Sequence, residues 1–328
     1  MTTFSLYARM KEQGTLTETA ADIPDSRFAL PSTIHWMRAL AILAKDRNVS
    51  FPTATNFYVN VQRRPLSDKE TNSICEQLLF ALHQLSSLQA MLIIPNKADV
   101  ARIAIVAWYY GVYGSASAMI AAADGSFPDT HAATARQWDR QLSQTALVMP
   151  PFADRLSQLV QANVEQELAP IRARGTHSLT IAPTTAQQAW GCHAEYLSGT
   201  AEWEQWNIRE RIVDSREFKD LHVTNFRTGP ARTLRDSWYA KRSIAFLHEA
   251  SRYRGKANYR DAIFLAYGRS VPTLVDGFVA DLTSVLLAFS CMAAAYASKR
   301  MGTDLWLAFL DDIEAKRSLS ISPKTLWS

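Results

Sequence analysis

The sequence predicts an all-α, multi-helix globular bundle, and three observations carry that prediction. Gly is scarce, at 12 of 328 residues, while Ala-rich runs are common, a balance that favours helix over sheet. Apolar residues recur at steps of three and four, the spacing of one helix face. Capping signals stand at the starts of several such runs.

Residues 1–30 hold few apolar clusters and read as a loosely ordered N-terminal arm; residues 31–328 read as one large helical domain. Pro31, Ser32 and Thr33 open a first helix, whose face runs through Ile34, Met37, Leu40, Ala41, Leu43 and Ala44. Ser50–Pro65, with alternating Phe57, Val59 and Val61, reads as a short strand or extended loop. Ser67 and Glu70 have capping-box spacing, opening a helix that bears Ile74, Leu78, Leu82 and Leu85. Pro95 and Asn96 punctuate the chain before a helix around Trp108, Tyr109 and Tyr110. Asp124–Asp129 is a turn.

A polar helix follows over His131–Leu147, broken at Met149-Pro150-Pro151. Pro151–Arg174 reads as another helix and Gly175–Pro183 as a loop with room for a short strand. The breaks near 150–183 mark where the domain divides if it has two lobes. Thr184 and Thr185 cap a helix through Trp190 and Tyr196, and Glu202–Phe218 reads as a separate charged helix. After Phe226–Pro230, the basic segment occupies Ala231 to about Tyr267, and Pro272 starts a long C-terminal helix.

Hydrophobic residues make up 48% of the chain, enough for a sizeable core. The formal charge of +4 permits an anionic partner without requiring one. Cys75, Cys192 and Cys291 are far apart and lack CxxC spacing, which reads as reduced thiols of a cytoplasmic protein. The N-terminus has no apolar h-region of a signal peptide. No cofactor motif appears, and no cysteine, histidine or carboxylate spacing suggests a metal site. His35, His83 and His131 read as core or boundary residues, and Asp311, Asp312 and Glu314 as a solvated acidic face. Ile103–Ala123 and Leu282–Ser298 carry no charge, and the first is long enough to span a bilayer. Its Tyr residues sit in the middle rather than at the ends, so a buried core helix is the expected reading.

The stretch Arg242–Asp261 concentrates five basic residues, one His and two Tyr, with Glu249 and Asp261 as its only acids. On a helix, His248, Arg252, Lys256 and Arg260 follow at steps of four, drifting by about 40° each into one slanting stripe. Such a stripe suits phosphate binding. Arg252, Arg254, Lys256 and Arg260 would track a nucleic-acid backbone, with Asn258 beside them, while Tyr253 and Tyr259 would stack on unpaired bases. The alternative is a non-catalytic scaffold whose basic face docks an acidic protein partner.

The helix Trp108–Ala123, together with an Arg followed at short spacing by a His, resembles the HEPN family of helical domains over roughly residues 100–300. Arg172 and His177, and Arg216 and His222, share the spacing; the basic neighbourhood favours Arg242 and His248. The resemblance implies metal-independent RNA cleavage at a homodimer, in a bacterial stress or phage-defence setting. In that reading Arg242 holds the phosphate and His248 moves the proton. Five intervening residues place the two about 120° apart on a regular helix. They meet only if the helix is broken or a second subunit supplies one of them.

Overall fold

The computed structural model describes residues 29–259 and 271–328, together with Leu6, Arg9 and Leu265. Most of the expected N-terminal arm therefore lies outside the described residues. Within them the chain is helical and forms no sheet; Leu156 and Ile244 make one isolated antiparallel bridge.

Helix α1 (Ala29–Asp46) serves two hydrophobic clusters. Its Trp36, Met37 and Leu40 enter the larger one and its Ala39 and Leu43 the smaller. Where an extended segment was expected, α2 (Phe51–Phe57) is a short helix. Pro52 lies in its first turn, where its missing N–H costs nothing, and Phe51 and Ala54 are buried. Phe57 and Val59 are exposed, so their alternation marks no strand face. Helix α3 (Asp68–Met91) begins at the expected capping box: Ser67 N–H donates to the Glu70 carboxylate at 2.7 Å, and Glu70 N–H donates to Ser67 Oγ at 3.3 Å.

Helix α4 (Ala101–Asp124) is the centre of the larger cluster, packed mainly against α3 and the later helix Phe278–Met301. Gly114 lets α3 approach closely, since a Cβ there would lie 3.0 Å from the Gln77 carbonyl oxygen. By length and composition α4 and the segment Val271–Met301 are each apolar enough to cross a membrane. Neighbouring elements bury 78% and 83% of their most apolar windows.

Helix α5 (His131–Trp138) runs into a π turn at Asp139–Ser143. The expected helix over 151–174 shrinks to α6 (Gln161–Arg172). Upstream of it, Leu156 exchanges backbone hydrogen bonds with Ile244 at 2.8 and 2.9 Å, and Leu159 N–H donates to the Tyr239 carbonyl. Burial of Phe152, Leu156 and Leu159 holds this stretch in a non-helical path. The two helices expected over 184–218 fuse into one, α7 (Ala186–Asp214), followed by the short α8 (Arg216–Lys219). Helix α7 carries the smaller cluster, together with α6 and α1.

The basic segment forms two helices, α9 (Gly229–Tyr239) and α10 (Phe246–Tyr259), with a turn between them. A short α11 (Val271–Leu274) leads to α12 (Phe278–Met301), largely buried against α4 and α1. Helices α13 (Thr303–Lys316) and α14 (Pro323–Trp327) close the chain.

Candidate functional site

The turn between α9 and α10 decides where Arg242 sits. Ile244 is tied to Leu156 through its backbone, so the chain cannot run on as one helix from α9. Arg242 lies in this turn and His248 in the first turn of α10, which supplies the helix break that a shared site requires. The Arg242 guanidinium donates to Glu204 of α7 at 3.0 Å.

His248 is only 8% exposed. Its Nδ1 accepts the Ala245 backbone N–H at 3.1 Å. A backbone N–H can only donate, so Nδ1 keeps its lone pair and the proton of the neutral ring sits on Nε2. Nε2 makes no hydrogen bond among the described residues. Burial, reinforced by the charge of Arg242, pushes the imidazole down to about 4, so the ring is neutral at neutral pH.

Behind the turn, buried Asp139 gathers its partners. Arg155 donates to its two oxygens at 2.9 and 3.3 Å, and Gln144 donates at 3.2 Å. Ser243, next to Arg242, donates its hydroxyl at 2.7 Å. Burial opposes ionisation of Asp139, but the bonds from Arg155 and Ser243 outweigh it and hold the carboxyl below its usual range. This carboxylate anchors the turn that carries Arg242.

In front of the turn, α5 and α7 border a cleft of about 790 Å³, whose walls include Arg136, Trp203, Glu204, Trp206, Arg211 and Arg242. Trp203 and Trp206 are 37% and 50% exposed. Three residues apart on α7, they are neighbours on one face. The sequence reading missed both. Their signal was two indole rings at helical spacing within an otherwise charged stretch.

Two members of the slanting stripe are described: His248 is buried, and Arg252 bonds to Thr200. Tyr253 is 1% exposed and packs against Trp36 and Trp108, with ring centroids 5.1 and 5.4 Å away. It is a core residue and does not meet bases, because the face of α10 bearing Phe246, Ala250 and Tyr253 turns into the larger cluster. Arg252 donates to Thr200 Oγ1 at 2.8 Å and lies over the Tyr196 and Trp203 rings at 5.4 and 5.7 Å. Arg254 leaves on the opposite flank, over the Tyr109 ring at 4.9 Å. The side chains of Lys256, Asn258 and Tyr259, and all of Arg260, lie outside the described residues.

His35 Nδ1 lies 2.7 Å from the Leu179 carbonyl oxygen, a satisfied boundary histidine. The three thiols are unpaired, and burial pushes them up to about 11 for Cys75 and about 12 for Cys192 and Cys291, where they are poor nucleophiles. Among the described residues no group of three His, Cys, Asp or Glu is placed to hold a metal ion. The chain matches no protein-family model, and no curated protein or solved structure gives a significant match.

Proposed function

We propose that the chain binds single-stranded nucleic acid, RNA before DNA, along the cleft between α5 and α7. One observation carries this reading: two part-exposed indoles and three arginines line one concave surface, where Glu204 and Glu210 offset part of the arginine charge. Indoles stack on unpaired bases whatever their sequence, and arginines hold the phosphates between them. Duplex hides its base faces and offers nothing to Trp203 and Trp206. In the free protein Glu204 occupies Arg242, and a phosphate oxygen takes over that fork on binding.

The juxtaposition of Arg242 and His248 at a helix break supports a HEPN-like arrangement in its placement. The state of His248 favours binding over cleavage. With Nδ1 engaged and Nε2 protonated, the ring has no free lone pair to take a proton from a 2′-hydroxyl, and its low pKa keeps it from serving as a charged acid at neutral pH.

The test is a fluorescence titration with oligouridylate of about ten nucleotides, within the site sizes of single-strand binders, repeated across salt concentrations. Binding should quench indole emission and weaken steeply with salt, by about 0.7 logarithmic units per neutralised phosphate for each tenfold change. Replacing both Trp203 and Trp206 by Ala should cost about 1–3 kcal/mol per stacked base. Salt-independent binding, or affinity unchanged in the double variant, overturns the proposal. Shortening of the oligonucleotide during the titration would restore the nuclease reading.

A further inference from the structure

A second group of polar side chains lies on the other flank of α10. Glu249 follows His248 in the chain and is 0% exposed. Neither of its carboxylate oxygens makes a hydrogen bond among the described residues. Buried carboxylates without partners are rare, and such a group calls for an explanation. Its neighbours supply one. His193 of α7 is 1% exposed, and its Nε2 lies 3.3 Å from an oxygen of Asp154, in the non-helical stretch before α6. Arg174, just beyond α6, lies 3.8 Å from Asp154 and stacks over Trp190 at 4.4 Å. Arg252 faces the group from α10 itself, with one guanidinium nitrogen committed to Thr200.

We propose that Asp154, His193 and Glu249 form a proton-operated joint between α7 and α10, closed when Glu249 carries a proton and loosened when it loses it. The charges give the reason. With Glu249 protonated, Asp154 faces His193 and Arg174 and no second negative charge stands beside it. Ionising Glu249 adds a buried negative charge with no hydrogen bond to stabilise it. Burial pushes its carboxyl up to about 7, against the opposing pull of His193 and Arg252. On His193, burial works against the proton, but contact with Asp154 and the nearby Glu249 outweigh it and raise the imidazole above its ordinary value. The joint is independent of what fills the cleft, and its test uses no nucleic acid.

The experiment compares thermal unfolding of the wild-type protein and Glu249→Gln from pH 5 to pH 9. Gln keeps the shape of the protonated acid and cannot ionise. The two should melt together near pH 5, and the variant should melt progressively higher as the pH rises through 7. A melting difference that stays constant over the range overturns the joint. If Glu249→Gln does not fold, infrared spectra of wild-type protein labelled with carbon-13 at the glutamate carboxyls decide the matter. A protonated glutamate band at pH 6 that fades above pH 7 supports the proposal, and its absence at pH 6 overturns it. Labelling glutamate alone excludes Asp281, another buried acid whose pKa is raised.

Discussion

His248 and Glu249 are neighbours on α10, both enclosed by protein, and their surroundings drive them in opposite directions along the pH scale. On the His248 flank, arginines already populate the site and Asp139 is saturated by Arg155, Ser243 and Gln144. A charged imidazole there gains no free carboxylate, and the ring stays neutral. On the Glu249 flank burial, with Asp154 beside it, outweighs the opposing pull of His193 and Arg252 and pushes the acid up to about 7. Burial penalises charge on both sides; it lowers the base and raises the acid, so one helix turn holds two groups whose pH responses oppose each other.

The signs follow from which state binds more protons. His248 titrates at about 4 when folded against an ordinary value of 6.5. The unfolded chain binds the extra proton between those values, so stability is lost as pH falls from 6.5 toward 4. Glu249 titrates at about 7 when folded against an ordinary 4.5. Here the folded chain binds the extra proton, and stability is lost as pH rises from 4.5 toward 7. Across the shared window the two slopes partly cancel, and single substitutions separate them.

The largest effect belongs to the saturated carboxylate. Asp139→Ala leaves Arg155 without its partner and frees Ser243, and the loss of one member of a buried pair costs about 3–5 kcal/mol. Urea unfolding at pH 7 measures it; a loss near zero would show that Asp139 does not anchor the His248 flank. Next comes His248→Asn, which removes the group that opposes folding in acid. Each unit of pKa shift corresponds to about 1.4 kcal/mol, so the variant should recover on the order of 3 kcal/mol relative to wild type between pH 6.5 and pH 4. Its stability should also fall more steeply than that of wild type as pH rises through 5–6.5, because the Glu249 response is then unopposed. Parallel curves for the two proteins would break the comparison. The smallest change is Arg252→Gln, which removes one hydrogen bond to Thr200 and two ring contacts. It should cost about 1 kcal/mol of stability, a shift in urea midpoint without a change in slope.

Much of the fold was legible because helix formation is local. The Ser67–Glu70 box, the face of Ile74, Leu78, Leu82 and Leu85, and the all-round apolar character of α4 are written in short-range spacing, and each appears as read. The errors lie where tertiary contacts override local signals. Pairing of Leu156 with Ile244 keeps 151–160 out of a helix, and α7 continues through residues 197–201 because Leu197, Thr200 and Ala201 are buried. The candidate site was legible only in part. The Arg242–His248 spacing pointed to two residues that lie on either side of a helix break the periodicity did not place, close enough for the charge of Arg242 to act on His248. Tyr253 was not legible as a core residue because its burial depends on Trp36 and Trp108, which are far away in sequence. Nothing in the local pattern joins Glu249 to His193 and Asp154. Trp203 and Trp206 were readable from spacing alone, as paired indoles on a charged helix.

The central claim is that the cleft receives unpaired nucleic acid on Trp203 and Trp206. Ultraviolet crosslinking of the protein to a labelled single-stranded RNA, followed by mass mapping of tryptic peptides, tests it most directly. Trypsin releases both indoles in one peptide, residues 175–209. Adducts concentrated on Trp203 and Trp206 in that peptide, and suppressed by high salt, are the expected result. Adducts confined to other peptides, or none under conditions where binding is measured, would contradict it.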